Sequence, residues 1–140
     1  RSDWTKVAKN FQYELFEMFF NEQRIEEFIK EYVQRLKDGE FDELLVYKKR
    51  LSKPVNEYTK TNPPHVKAAK LILEKRPKAF IKDVQYIWTR RGPVPLEFDH
   101  SDIDYQHYID KQIAPLAQDV LKFIDQSFDD IVAGSQMTLF

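Results

Sequence analysis

The sequence predicts an α+β domain that is predominantly α-helical, with one small β-hairpin and an exposed C-terminal tail. Three observations carry this reading. Apolar residues recur every three to four positions over most of the chain, the signature of amphipathic helices. Over residues 84–98 the period drops to two on either side of Arg91-Gly92-Pro93, as in paired strands around a turn. From Gly134 onward the pattern runs out in a short polar stretch that ends Leu139-Phe140. Residues 1–133 thus read as one domain and 134–140 as its tail.

The elements follow in order. Trp4, Val7, Ala8, Phe11, Leu15, Met18 and Phe19 mark a long first helix. Tyr13, Phe16 and Phe20 form a second apolar stripe, which predicts burial on more than one side. Ile25, Phe28, Ile29, Tyr32, Val33 and Leu36 make a second helix, and Gly39 suits a left-handed stop. Phe41, Leu44 and Leu45 indicate a short third helix. Asn62 reads as a cap and Pro63 as the first residue of a helix bearing Val66, Ala69, Ile72 and Leu73. Two strands follow, the first over Val84, Tyr86 and Trp88 and the second over Val94, Leu96 and Phe98. Tyr105, Tyr108, Ile109 and Ile113 then open a last helix that Pro115 bends or restarts, with Leu116, Val120, Phe123 and Ile124 carrying it to about Phe128.

Composition excludes several classes. The 140 residues are 42% hydrophobic and 32% charged, enough for one domain with a core and too polar for a membrane span. No secretory signal opens the chain, whose first twenty residues are charged throughout. It begins at Arg1, as expected of a piece of a longer polypeptide. There is no cysteine, hence no disulfide and no thiolate zinc site, which fits a reducing compartment. His65, His100 and His107 form no metal-ligand spacing. Three glycines are too few for a phosphate-cradling loop.

The net charge of −1 conceals a segregation. Between Lys48 and Lys78 stand ten basic residues and two acidic ones, a local charge of +8 against −9 for the rest of the chain. That distribution points to a polyanion-binding face. Lys48, Lys49, Arg50, Lys53, Lys60 and Lys67 supply charge for phosphates, and Ser52, Tyr58 and Thr59 supply hydroxyl donors. The start of the helix near Pro63 adds backbone N–H groups. No Phe or Trp interleaves with these charges, which favours backbone contacts to a duplex over stacking on single strands. The plainer alternative is a solvated loop with Tyr58 in the core. Asp99, Asp102 and Asp104 raise the possibility of a Mg²⁺-dependent nuclease, but carboxylates directly before a helix more often cap it. The ending Gln136-Met137-Thr138-Leu139-Phe140 exposes two large apolar side chains, and Gln136 three residues before Leu139 suits one polar and one apolar anchor in a partner's pocket, unless the end packs back on the domain.

These segments resemble a known family. Leu45-Val46-Tyr47-Lys48-Lys49-Arg50-Leu51 with Pro54, Glu57-Tyr58 and Pro63-Pro64-His65-Val66-Lys67-Ala68-Ala69 resembles the thumb of bacterial family-B DNA polymerases. Tyr86-Ile87-Trp88-Thr89 with Gly92-Pro93 and Pro95 does so too, as does Asp104-Tyr105 with His107-Tyr108, Lys111-Gln112 and Pro115. Arg1-Ser2-Asp3-Trp4-Thr5 is similar to the segment after their palm. The last five residues are similar to their sliding-clamp peptide, with Met137 in place of the usual Leu. Residues 76–80 match no part of the pattern.

The resemblance implies a fragment of a DNA-directed polymerase with a 3′→5′ exonuclease, serving repair and replication restart in the bacterial cytoplasm. Its partners would be primer–template duplex, the sliding clamp and the palm, fingers and exonuclease domains, with no membrane. Lys48, Lys49, Arg50, Ser52, Lys53, Tyr58, Lys60, His65 and Lys67 would meet DNA. Gln136, Met137, Leu139 and Phe140 would meet the clamp. The fragment would hold no catalytic residue and no cofactor, because the Mg²⁺ site would lie in the palm. The competing reading is a standalone helical adaptor for RNA or acidic proteins.

Overall fold

A computed structural model describes residues 3–21 and 23–137, with side chains at 135–137 left undescribed. The chain divides into two compact units. Unit 1 comprises 1–5 and 45–104, and unit 2 comprises 6–44 and 105–140.

Unit 2 is helical. Helix α1 (Lys6–Phe20) packs on α2 (Ile25–Lys37), and Phe11 meets Tyr32 edge-on at 4.9 Å. Tyr32 is buried, stacks on Phe41 at 4.6 Å and donates its hydroxyl to Asn10 Oδ1 at 2.6 Å. α2 ends as its glycine foretold. Gly39 takes φ +84°, and the amides of Gly39 and Glu40 return to the carbonyls of Leu36 and Arg35, which satisfies the last turn. The third helix is only a 3₁₀ turn, Asp42–Leu44.

The C-terminal helix is broken where the sequence carries its proline. α4 (Tyr105–Tyr108) runs into a π turn (Ile109–Ile113) and then α5 (Ala114–Leu121). Pro115 has no N–H and crowds the carbonyl four residues earlier, and widening the preceding turn accommodates it. A 3₁₀ turn and Asp125 at φ 56° close this run. Ser127 then starts α6 (Phe128–Met137), its Oγ accepting the amide of Asp130. α6 continues through Gly134, where the sequence reading begins a tail. The last three residues of the chain, Thr138 to Phe140, lie outside the described ones.

One expectation fails here. Tyr13, Phe16 and Phe20 are exposed, Phe20 at 76%. Within the unit α1 buries Val7, Ala8, Phe11 and Leu15, a single stripe. The aromatic positions fall outside it.

Unit 1 is a three-stranded antiparallel sheet with one helix on it. The order is β1 (Tyr47–Arg50), β2 (Asp83–Thr89), β3 (Gly92–Pro95), so β1 forms an edge. The sequence predicts only the β2–β3 hairpin. β3 stops at Pro95, short of the predicted Phe98, because Phe98 turns back to the carbonyl of Pro95. The hairpin turn depends on Gly92, at φ +97°, with Thr89 Oγ1 donating to its carbonyl. Helix α3 (Pro64–Lys75) packs on β2 and β3 through Val66, Ala68 and Ala69. Pro63, one residue after the expected Asn62, holds the cap position, and its ring makes no capping hydrogen bond.

Candidate nucleic-acid interface

The basic segment begins as β1, which sequence periodicity did not reveal. Its register on β2 pairs Tyr47 with Tyr86 and Arg50 with Asp83. The two tyrosines stack at 5.0 Å, so Tyr47 anchors the strand while Lys48, Lys49 and Arg50 remain exposed. Burial pushes the Tyr86 phenol up to about 12. Lysines on an edge strand also discourage pairing with foreign strands, so the charge has a protective use besides any binding role. Arg50 reaches Asp83 at 3.2 Å across the sheet and is in part neutralised. Lys48 and Lys49 have no ion pair among the described residues.

Beyond β1 the backbone turns around one phenol. Leu51 donates its amide to Lys82 O at 2.9 Å. Tyr58, brought back by the 3₁₀ turn Val55–Glu57, accepts the Ser52 amide at 3.0 Å and lies 2.9 Å from Ser52 Oγ. The ammonium of Lys53 sits 4.8 Å above its ring. Hydrogen bonds from the Ser52 hydroxyl and amide hold the Tyr58 phenol below its ordinary value. Two hydroxyls that share one bond leave a second proton free to donate outward, to a phosphate oxygen for example.

His65 lies beneath this turn, 6% exposed, edge-on to Tyr58 at 6.3 Å. Burial first, and then the charge of Lys49, holds its imidazole below the ordinary range. Lys49, Ser52, Lys53, Tyr58 and His65 are therefore one neighbourhood, with His65 as its floor. Lys60 and Lys67 are exposed in the same unit, but no bond ties them to that group. The start of α3 offers fewer free donors than expected. Pro64 has no N–H, and the amides of Val66 and Lys67 both turn back to Pro63 O at 3.0 Å.

The three aspartates do not form a metal site. Asp102 is held by Arg91 through two bonds, 2.9 Å from Nε and 3.0 Å from Nη2, and Arg91 also donates to the Asp99 carbonyl. The guanidinium keeps the Asp102 carboxyl below its usual value. No group of three or more metal-ligating side chains occurs among the described residues. Asp102 therefore closes the β3–α4 loop onto the hairpin turn instead of capping, and only Asp104 directly precedes α4.

No family model matches the chain. Among solved structures, the family B DNA polymerase of the hyperthermophilic archaeon Pyrobaculum calidifontis matches with a TM-score of 0.70 at 31% identity, over 84% of this chain and 18% of that one. A DNA polymerase of Methanocaldococcus jannaschii is 30% identical over 153 residues, which is 99% of this chain and 9% of that protein. The chain belongs to the family-B DNA polymerases, of which it is a piece. Within that class it is similar to DNA polymerase II of Escherichia coli K12, at 40% identity over 147 residues, all of this chain and 19% of that protein. The chain thus spans a fifth or less of the length of these relatives. A standalone adaptor is displaced by that membership.

Proposed function

We propose that the chain is the thumb of a DNA-directed DNA polymerase of the polymerase II type, which grips primer–template duplex through its phosphates and tethers the enzyme to the sliding clamp. The observation that carries the grip is the exposed basic edge of β1 continued into the Ser52–Tyr58 turn. A polymerase must hold every sequence, so contacts to backbone charge serve it better than contacts to base edges. Lys48, Lys49 and Lys53 supply charge without an opposing carboxylate. The free proton of the Ser52–Tyr58 pair adds one directed donor. His65 supports the ring from below instead of presenting its own charge.

The clamp contact rests on Gln136, Met137, Leu139 and Phe140, whose order is similar to a clamp peptide. Methionine is adaptable enough to fill a leucine's place there. A second attachment raises the local concentration of the first, which prolongs synthesis without a tighter hold on DNA. No described helix is long and apolar enough to cross a membrane. Mg²⁺-dependent nucleotidyl transfer and proofreading belong, in this reading, to the palm and exonuclease of the same cytoplasmic enzyme. Repair and replication restart would be its tasks.

Charge reversal tests the grip. In the polymerase that carries this chain, Lys48→Glu with Lys49→Glu is expected to lower primer–template affinity by about tenfold or more at moderate salt, equally on unrelated sequences. Unchanged affinity, or a loss confined to one sequence, would contradict the assignment.

A further inference from the structure

Unit 1 displays an aromatic side chain that its own fold does not use. Phe80 is 91% exposed, the most exposed large apolar residue described. Its segment is nonetheless fixed at both ends. Arg76-Pro77-Lys78-Ala79 is a turn closed by the Ala79 amide on Arg76 O at 3.0 Å, and Lys82 O receives the Leu51 amide. The ring stands at the rim of a groove of about 370 Å³ whose apolar lining includes Ile72, Ile81 and Leu96. Burial there would remove it from water, yet the fold leaves it outside.

Its setting is cationic. From Lys75 to Lys82 there are four basic residues and no acidic one. Arg76 is spent on Glu97 at 2.8 Å, and Lys75 lies 4.5 Å over the ring of Phe98. Lys78 and Lys82 are exposed and have no ion pair among the described residues. The bond from Leu51 to Lys82 makes this segment continuous with the basic edge of β1.

We propose that Phe80, between Lys78 and Lys82, is a stacking contact for an unpaired base of single-stranded DNA, set beside the duplex grip. The inference rests on the reading of the β1 edge as a nucleic-acid surface. An isolated ring that projects from a surface needs a flat apolar partner. A duplex hides its base faces, whereas an unpaired base offers one, and the adjoining phosphates then fall to the lysines. Surplus positive charge suits a polyanion, and the projecting ring beside it suits one that offers an exposed base face.

The test uses the polymerase that carries this chain, with a labelled oligothymidine and a blunt duplex, both at low salt. Phe80→Ala should weaken single-strand binding about fivefold or more and leave duplex affinity and the thermal midpoint unchanged. Phe80→Trp should restore single-strand binding, with its fluorescence quenched by the oligonucleotide. Single-strand affinity indifferent to Phe80→Ala, or an equal loss on duplex, overturns the proposal. Lys48→Glu with Lys49→Glu separates the two readings. If duplex affinity survives that change while the Phe80 effect remains, the duplex grip fails and the stacking contact stands. If only the charge reversal has an effect, the stacking contact alone fails.

Discussion

His65 shows how one side chain links fold to surface. It is buried under Tyr58 and kept neutral, while in the unfolded chain it takes up a proton near the ordinary value of 6.5. As pH falls below that value the unfolded chain binds the proton more readily, so stability is lost, and above it the full contribution is present. The thermal midpoint should therefore drop between about pH 7 and pH 5, and His65→Gln should flatten that part of the profile. A profile unaltered by the substitution would mean that His65 titrates as in the unfolded chain. Residue types alone gave the basic and hydroxyl groups of this site, because charge and donor capacity belong to the side chain itself. They did not give the burial of His65, the pairing of Ser52 with Tyr58, or the capture of Asp102 by Arg91. Those depend on how turns fold back on themselves, Ser52 onto Tyr58 and Asp102 onto Arg91, and residue types alone do not specify that path.

At the scale of elements, legibility followed the strength of the local signal. α1 and α2 carry strong 3.6-residue stripes, and Gly39 ended α2 as expected because only its left-handed conformation was needed. The hairpin announced itself through alternation and Arg91-Gly92-Pro93. β1 did not, since three of its four residues are basic and only Tyr47 is buried, which erases alternation. The π turn before Pro115 and the restart at Ser127 were hidden within a period that looked continuous. α6 reaching Met137 alters the picture of the chain's end, because Gln136 and Met137 start from a helix. The full chain is expected to bind a bacterial sliding clamp, and a chain ending at Ser135 to lose that binding, as seen by surface plasmon resonance. Equal binding by both would show that the last five residues are not a clamp peptide.

At the scale of the molecule, a nearly neutral chain concentrates its positive charge in one unit. Residues 48–78 lie wholly in unit 1, so the segregation seen along the sequence becomes one of units. The chain divides into two compact units, one helical and one built on a sheet. Nothing local marks that division, because unit 1 is an insertion between the first two helices and the last ones, joined by 1–5. If this unit holds duplex DNA through phosphates alone, the grip should show in the salt dependence of duplex binding by the intact chain on two unrelated sequences. With Lys48, Lys49, Lys53, Lys60 and Lys67 each meeting a phosphate, log K should fall linearly with log salt at a slope of about −4 to −5, the same on both duplexes. A slope near zero, or two different slopes, would contradict it.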